Sequence, residues 1–343
     1  MSSTYCPLPC PSAHGGGEAA LPVSPATQLR ALEADAAMAL DDWGDHFPPL
    51  PAPRPAAAFR INLLFALLAM SLSLVVLTDF FAVSNRALSY AAGLAGPLRA
   101  HLVLLHVRHD GLLAPADYHA SHTPEGAQRT RRALETLASA QPVPAEVDIS
   151  DDYLPEAVQE VVRRHQPLLL VLGRPGLAHA PQEIIVSTAM DLLRHTQTPV
   201  LVVPTVGWDA FPPRRLLLAV DGEPFRLCPN QRVVQCLLQA DGGTLDVVHI
   251  TDDYHRRPDA ADILRSIRQN NLVDDGPALD RLHELSRQRI AGGVLEEAAR
   301  QEADLLVVVA RRHSLLGSLF HRSVTAQLLQ ESPIPVLLLP AQD

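Results

Sequence analysis

From Leu72 onward the chain states one pattern twice, and that duplication constrains its fold more than any other feature. The first copy opens with LSLVVLTD, ending at Asp79, and the second with RRLLLAVD, ending at Asp221. In both, an apolar run stops at an aspartate and leads to a helical stretch. Ser84 is placed to cap a helix whose Ala87, Ala91, Leu94, Ala95 and Leu98 share one face; Pro229 is placed to open a helix carrying Val233, Val234, Leu237 and Leu238. Next come HLVLLHVRHD and TLDVVHITDD, which align His106 with His249 and Asp110 with Asp253. The later halves match more tightly still. PLLLVLG, ending at Gly173, pairs with DLLVVVA, ending at Ala310, and STAMDLLRHTQTPVLVVP, from Ser187, pairs without a gap with SVTAQLLQESPIPVLLLP, from Ser323.

Ahead of each PLLLVLG-type run the spacing predicts a further helix, over about 154–165 and about 294–302. Continuous apolar strands that alternate with helices, with connections too long for hairpins, imply right-handed crossovers and a parallel sheet in each half. The chain is therefore expected to hold two α/β domains, 70–206 and 213–343, in which segments 111–147 and 254–289 give no clear assignment. The head, 1–69, is rich in Pro, Ala and Gly and is expected to be disordered. It leads into an apolar run over 61–77, but the second half of that run is needed as the first strand, and the remainder is too short to span a membrane. No small-residue cleavage site follows it cleanly. Met70 is the expected native start, with the preceding segment an upstream extension of the reading frame.

Aromatic residues make up only 4% of the chain, so its core is expected to be Leu/Val-rich strands covered by Ala/Leu-rich helices. The formal net charge of −10 argues against nucleic acid as a partner. The basic stretches RTRRAL, from Arg129, and YHRRP, from Tyr254, are short and read as solvated faces. Cys6 and Cys10 lie in the Pro-rich head without partner histidines at metal spacing, Cys228 and Cys236 fall eight apart in an expected helix, too far to bridge locally, and all four are expected as reduced thiols in a cytoplasmic protein. His106 and His249 fall inside buried strands and read as satisfied core histidines; no further His, Cys or carboxylate lies at metal spacing, so no metal site is expected. Neither GxxxxGK[ST], GxSxG nor HExxH is present, and no enzymatic activity is expected.

One stretch invites a binding reading. In VLGRPGLAHAPQEIIVST, from Val171 to Thr188, two glycines just past a strand let the backbone approach an anion, and hydroxyls at the next helix start add donors beside its positive dipole end. The same glycines also serve an ordinary tight turn. Likewise Asp79 and Asp221 read either as ligand-contacting acids or as turn residues, and Arg311, Arg312, His313, His321 and Arg322 either as an anion site or as solvated surface.

On VVLTDFFAVSNRALSYAAGLA, HLVLLHV, STAMDLLRHTQTPVLVVP and HSLLGSLFHRSVTAQLLQESPIPVLLLP, the chain resembles the universal stress protein family in its tandem form. The resemblance implies a flavodoxin-like, doubly wound, five-stranded parallel sheet in each domain, with a cleft at the strands' carboxyl ends. It also implies that the two copies pack as an internal pseudo-dimer. Nucleotide-binding members carry a G-x-x-G-x9-G-[ST] loop, so the implied ligand is ATP with Mg²⁺. The contacts would be Asp79, Gly173, Gly176, Ser187 and Thr188 in the first domain, and Asp221 and Ser323 in the second. Val186 stands at the third glycine, where its methyl groups are expected to crowd the phosphates; in the second copy Ala310 and Arg322 replace glycines. The expected function is a non-enzymatic stress-response scaffold or regulator that engages protein partners, with a homodimer compatible. The alternative is an adenine-nucleotide switch using the first cleft, with slow ATP hydrolysis, and a third reading is a membrane-tethered stress sensor.

Overall fold

A computed structural model describes residues 72–78, 82–108, 124–174, 182–205, 211–228, 232–251, 259–272, 281–287, 289–311 and 324–342. The first domain runs β1 (Ser73–Leu77), α1 (Ala82–Leu98), β2 (His101–Val107), α2 (Pro124–Ser139), β3 (Ala145–Ser150), α3 (Leu154–His165), β4 (Leu169–Arg174), α4 (Gln182–His195) and β5 (Val200–Pro204). The second repeats it: β6 (Arg215–Val220), a short β7 (Arg226–Leu227), α5 (Val233–Asp241), β8 (Thr244–Thr251), α6 (Ala260–Gln269), β9 (Leu282–Ser286), α7 (Ile290–Arg300), β10 (Leu305–Ala310), α8 (Val324–Glu331) and β11 (Val336–Gln342). No described helix is long and apolar enough to cross a membrane.

The strands lie in the order β3-β2-β1-β4-β5 in the first domain and β9-β8-β6-β10-β11 in the second, each run parallel, with the short β7 added antiparallel to the end of β11. The two sheets join through β5 and β11, whose pairing is antiparallel and centred on Leu201↔Leu337. Two parallel sheets related by a twofold normal to the sheet can meet only this way, so the antiparallel join is the signature of the internal pseudo-dimer. Apolar residues on both faces of each strand explain why helices cover both sides. Leu74, Val76, Leu169, Val171, Leu201, Leu216, Leu218 and Leu337 face α1 and α5, while Val75, Leu77, Leu170, Val202, Leu217, Leu306 and Leu338 face α3, α4, α7 and α8. Each of these two core layers runs unbroken through both domains.

The α1 face expected from the spacing is buried as read, with Ala87, Ala91, Leu94, Ala95 and Leu98 all in the core. The helix begins at Ala82, however, so Ser84 is a buried first-turn residue rather than the cap. The expected α3 boundaries are met, whereas α7 starts earlier than its spacing suggested. The unassigned middles supply α2 with β3 and α6 with β9, the outermost strands of the sheet. Arg129, Arg131 and Arg132 are exposed on α2, as a solvated face requires. Cys228 and Cys236 are unbridged; the head with Cys6 and Cys10, as well as Met70, Asp110, Pro229, Asp253 and the YHRRP stretch, lie outside the described residues.

Candidate functional site

The strand order reverses between β1 and β4 and between β6 and β10, which opens a crevice at the carboxyl ends of each pair. In the second domain an internal ion pair stands at that end of the sheet. Asp221 follows β6, and Gly222, at φ 86°, turns the chain so that the Asp221 carboxylate accepts the Glu223 N–H at 3.0 Å. From the end of β10, Arg311 donates Nε to one Asp221 oxygen at 2.6 Å and Nη2 to the other at 2.9 Å. Its remaining donors reach the carbonyls of Pro224 at 3.1 Å and Glu223 at 2.9 Å. A planar guanidinium matches a carboxylate bidentately, which makes this one of the stronger pairings open to a side chain. Arg311 is 8% exposed. It is therefore buried against the Asp221 turn and is not part of a solvated basic surface; the sequence grouped it with Arg312, His313, His321 and Arg322, which lie outside the described residues, as does Ser323.

The repeat places Arg174 where the second domain has Arg311, yet Arg174 does the opposite. It crosses the domain junction and donates Nη1 to the Gln330 carbonyl and Nη2 to the Ser332 carbonyl, at the carboxyl end of α8. Carbonyls left over at a helix end, with the negative end of its dipole, are natural partners for a cation. Burial pulls the Arg174 pKa below the usual guanidinium range.

Of the remaining expected ligand contacts, Gly173 is half-buried at the carboxyl end of β4 and pairs with Val203; Asp79 and Gly176 lie outside the described residues. The sequence put Val186 and Ser187 at a helix start. The structure has α4 running from Gln182, so Val186 sits a full turn inside, where backbone N–H groups are committed to carbonyls four residues back. Val186 is buried in the core with Leu172, Ala189 and Met190, so its methyl groups fill the helix–sheet interface rather than phosphate space. Ser187 is exposed and Thr188 buried on the same helix.

His106 and His249 keep equivalent places, their Nδ1 atoms 3.0 Å from the Thr78 carbonyl and 3.1 Å from the Val220 carbonyl. A carbonyl only accepts, so each Nδ1 carries the proton. At the opposite, amino-terminal rim of the first domain the fold gathers residues that linear spacing could not. His101 opens β2, Glu146 lies near the start of β3, and His165 ends α3. Glu146 Oε1 is 3.4 Å from His101 Nε2 and 3.1 Å from His165 Nδ1, and His165 Nε2 is 3.3 Å from Asp148 Oδ2. His101, Glu146 and His165 come from three different elements, so only the strand register, with Val103 beside Glu146, reveals the cluster.

Two tandem doubly wound domains, each with its crevice at the strand carboxyl ends, define the class of α/β protein to which this chain belongs. The sequence model of the universal stress protein family matches residues 70–204 and 213–340, and the chain is a member of that family. Among solved structures it is similar to a universal stress protein from Archaeoglobus fulgidus DSM 4304, with 17% identity over 78% of this chain and 97% of that one, at a TM-score of 0.53. It is also similar to a protein of the universal stress protein family from Burkholderia pseudomallei, with 23% identity over 40% of this chain and 98% of that one, at a TM-score of 0.29. No curated protein matches it. Family membership supports a role in the stress response.

Proposed function

We propose that the protein acts in the stress response without catalysis, as a scaffold or regulator that engages protein partners through its surfaces. The observation that carries this reading is the Arg311 fork on Asp221, which commits to the chain's own cation the carboxylate expected to contact a ligand in the second domain. A nucleotide entering there would have to displace a bidentate ion pair and two further hydrogen bonds. The helical ladder over Val186 and Ser187 removes backbone donors from the first domain's phosphate position in the same way. Unbridged Cys228 and Cys236 fit a reducing, cytoplasmic setting.

An adenine-nucleotide switch in the first cleft is the second reading. It is favoured by Arg174, which is drawn across to α8 instead of pairing within its own domain as Arg311 does, and by Gly173 at the crevice edge. Equilibrium titration of the full chain with ATP and Mg²⁺ separates the two. The regulator reading expects no saturable binding at micromolar nucleotide. A Kd below about 1 µM that is lost in Gly173→Val would establish the switch instead.

A further inference from the structure

We propose that His101, Glu146 and His165 form a binding site for one divalent transition-metal ion of the zinc class, with Asp148 as the positioning residue behind His165. The three ligand atoms lie within 4.8 Å of one another. Zinc binds nitrogen and oxygen at about 2.0–2.2 Å in tetrahedral geometry, which places neighbouring ligand atoms about 3.3 Å apart. The 3.4 and 3.1 Å separations around Glu146 already match two edges of that tetrahedron. The third edge, between the two histidines, lies within 4.8 Å.

His165 argues most directly for a cation. Its ring lies between two carboxylates, with Nδ1 toward Glu146 and Nε2 toward Asp148, and its side chain is only 15% exposed. A neutral imidazole has one N–H, so it can donate to only one of them and turns a lone pair at the other. A metal ion bound at the other ring nitrogen would stand between the ring and that carboxylate. Asp148 is itself fixed by Arg164, at 2.5 Å, and is as buried as the ring, so it is the partner suited to receive the Nε2 proton. That leaves the Nδ1 lone pair aimed at Glu146, in the carboxylate–histidine–metal arrangement found behind metal-ligating histidines. Glu146 is half-exposed, which keeps a path for the ion and room for water as the fourth ligand.

The second domain serves as an internal control. Strand register and the repeat put Thr244, Arg281 and Glu302 where the first domain has His101, Glu146 and His165. Among the described residues the histidine at that rim is His283, which stands between Glu297 at 3.4 Å and Asp246 at 3.9 Å, but Glu297 is already held by Arg300 and Gln301 and no second histidine joins them. The second copy thus carries an arginine where the first has the carboxylate Glu146.

The test is a titration of the tag-free full chain with Co²⁺, followed by displacement with Zn²⁺. The expected result is one Co²⁺ per chain, with visible d–d bands of a nitrogen/oxygen site, no thiolate charge-transfer band, and loss of the spectrum on adding Zn²⁺. His101→Gln and His165→Gln should each weaken binding at least tenfold, and Asp148→Asn about tenfold, the usual effect of removing a carboxylate behind a ligating histidine. Glu146→Arg, which copies the second domain at an exposed position, should abolish binding while leaving the circular dichroism spectrum and melting temperature of the metal-free protein unchanged. His195→Gln, on an exposed histidine elsewhere, should change nothing. A thiolate band, or equal affinity in wild type, Glu146→Arg and the His101→Gln/His165→Gln double variant, would overturn the proposal.

Discussion

Val186 shows how one residue's role depends on a helix boundary. It is 6% exposed and packed among Leu172, Ala189 and Met190. Val186→Gly should therefore lose core contacts and helix propensity, lowering stability by about 2–4 kcal/mol in urea unfolding, without a gain in ATP affinity. Increased ATP binding in that variant would restore the view that the valine blocks a phosphate cradle. Glu297 gives a second test at this scale. Burial raises its pKa, but hydrogen bonds from Arg300 and Gln301, with the charges of Arg300 and His283, outweigh it and hold the carboxyl below the ordinary range. A depressed acid contributes stability above its unfolded pKa of about 4.3 and loses it as pH falls through the lower folded value. The stability gap between wild type and Glu297→Gln should accordingly narrow below about pH 4; a gap constant from pH 7 to 3 would show that the carboxylate charge is not what Arg300 and Gln301 stabilise.

Elements pack against one another with little slack. Within α1, a Cβ on Gly93 would lie 2.4 and 2.6 Å from atoms of the Phe211 ring, which also meets Tyr90 edge-on at 5.2 Å. Gly93→Ala gains about 1 kcal/mol of helix propensity but forces that ring aside, and overpacking of this kind costs about 1–3 kcal/mol. A net loss is expected, reversing to a gain in the Phe211→Ala background; a double-mutant cycle reads the sign directly. The central strands are less forgiving. Val202 and Leu338 are 1% and 0% exposed, on the pair that joins the domains, so an aspartate at either position buries an unpaired charge and should cost about 4 kcal/mol or more. A change within about 0.5 kcal/mol would be surface behaviour, incompatible with this pairing. The outermost strands explain why 111–147 and 254–289 were illegible: AEVDIS and LHELS are short, half-buried and charged, as edge strands are when they resist further pairing.

Across the whole molecule, the two domains share a continuous sheet and two continuous core layers, and Arg174 adds a latch from β4 to the end of α8. Arg174→Met would strip charged donors from the Gln330 and Ser332 carbonyls, at a cost of about 2–4 kcal/mol. Because the layers are shared, that cost should appear as a lower midpoint of a single unfolding transition. Two separate transitions in the wild type, of which only one responds, would show the domains to be energetically independent.

The duplicated apolar strands dictated two parallel α/β halves, since residues buried on both faces leave no other covering than helices. They also identified β5 and β11 as apolar and buried, and α1 and α3 from their periodicity. Periodicity reports which face of an element is buried, but it carries no information on what a long side chain reaches. The equivalent arginines Arg174 and Arg311 stand at one position of the repeat, yet one grips the neighbouring domain and the other its own Asp221. That choice follows from where guanidinium acceptors lie in space. The His101, Glu146 and His165 cluster was invisible for the same reason: its members are far apart in sequence, and only the β2–β3 register and the end of α3 bring them within reach of a single ion.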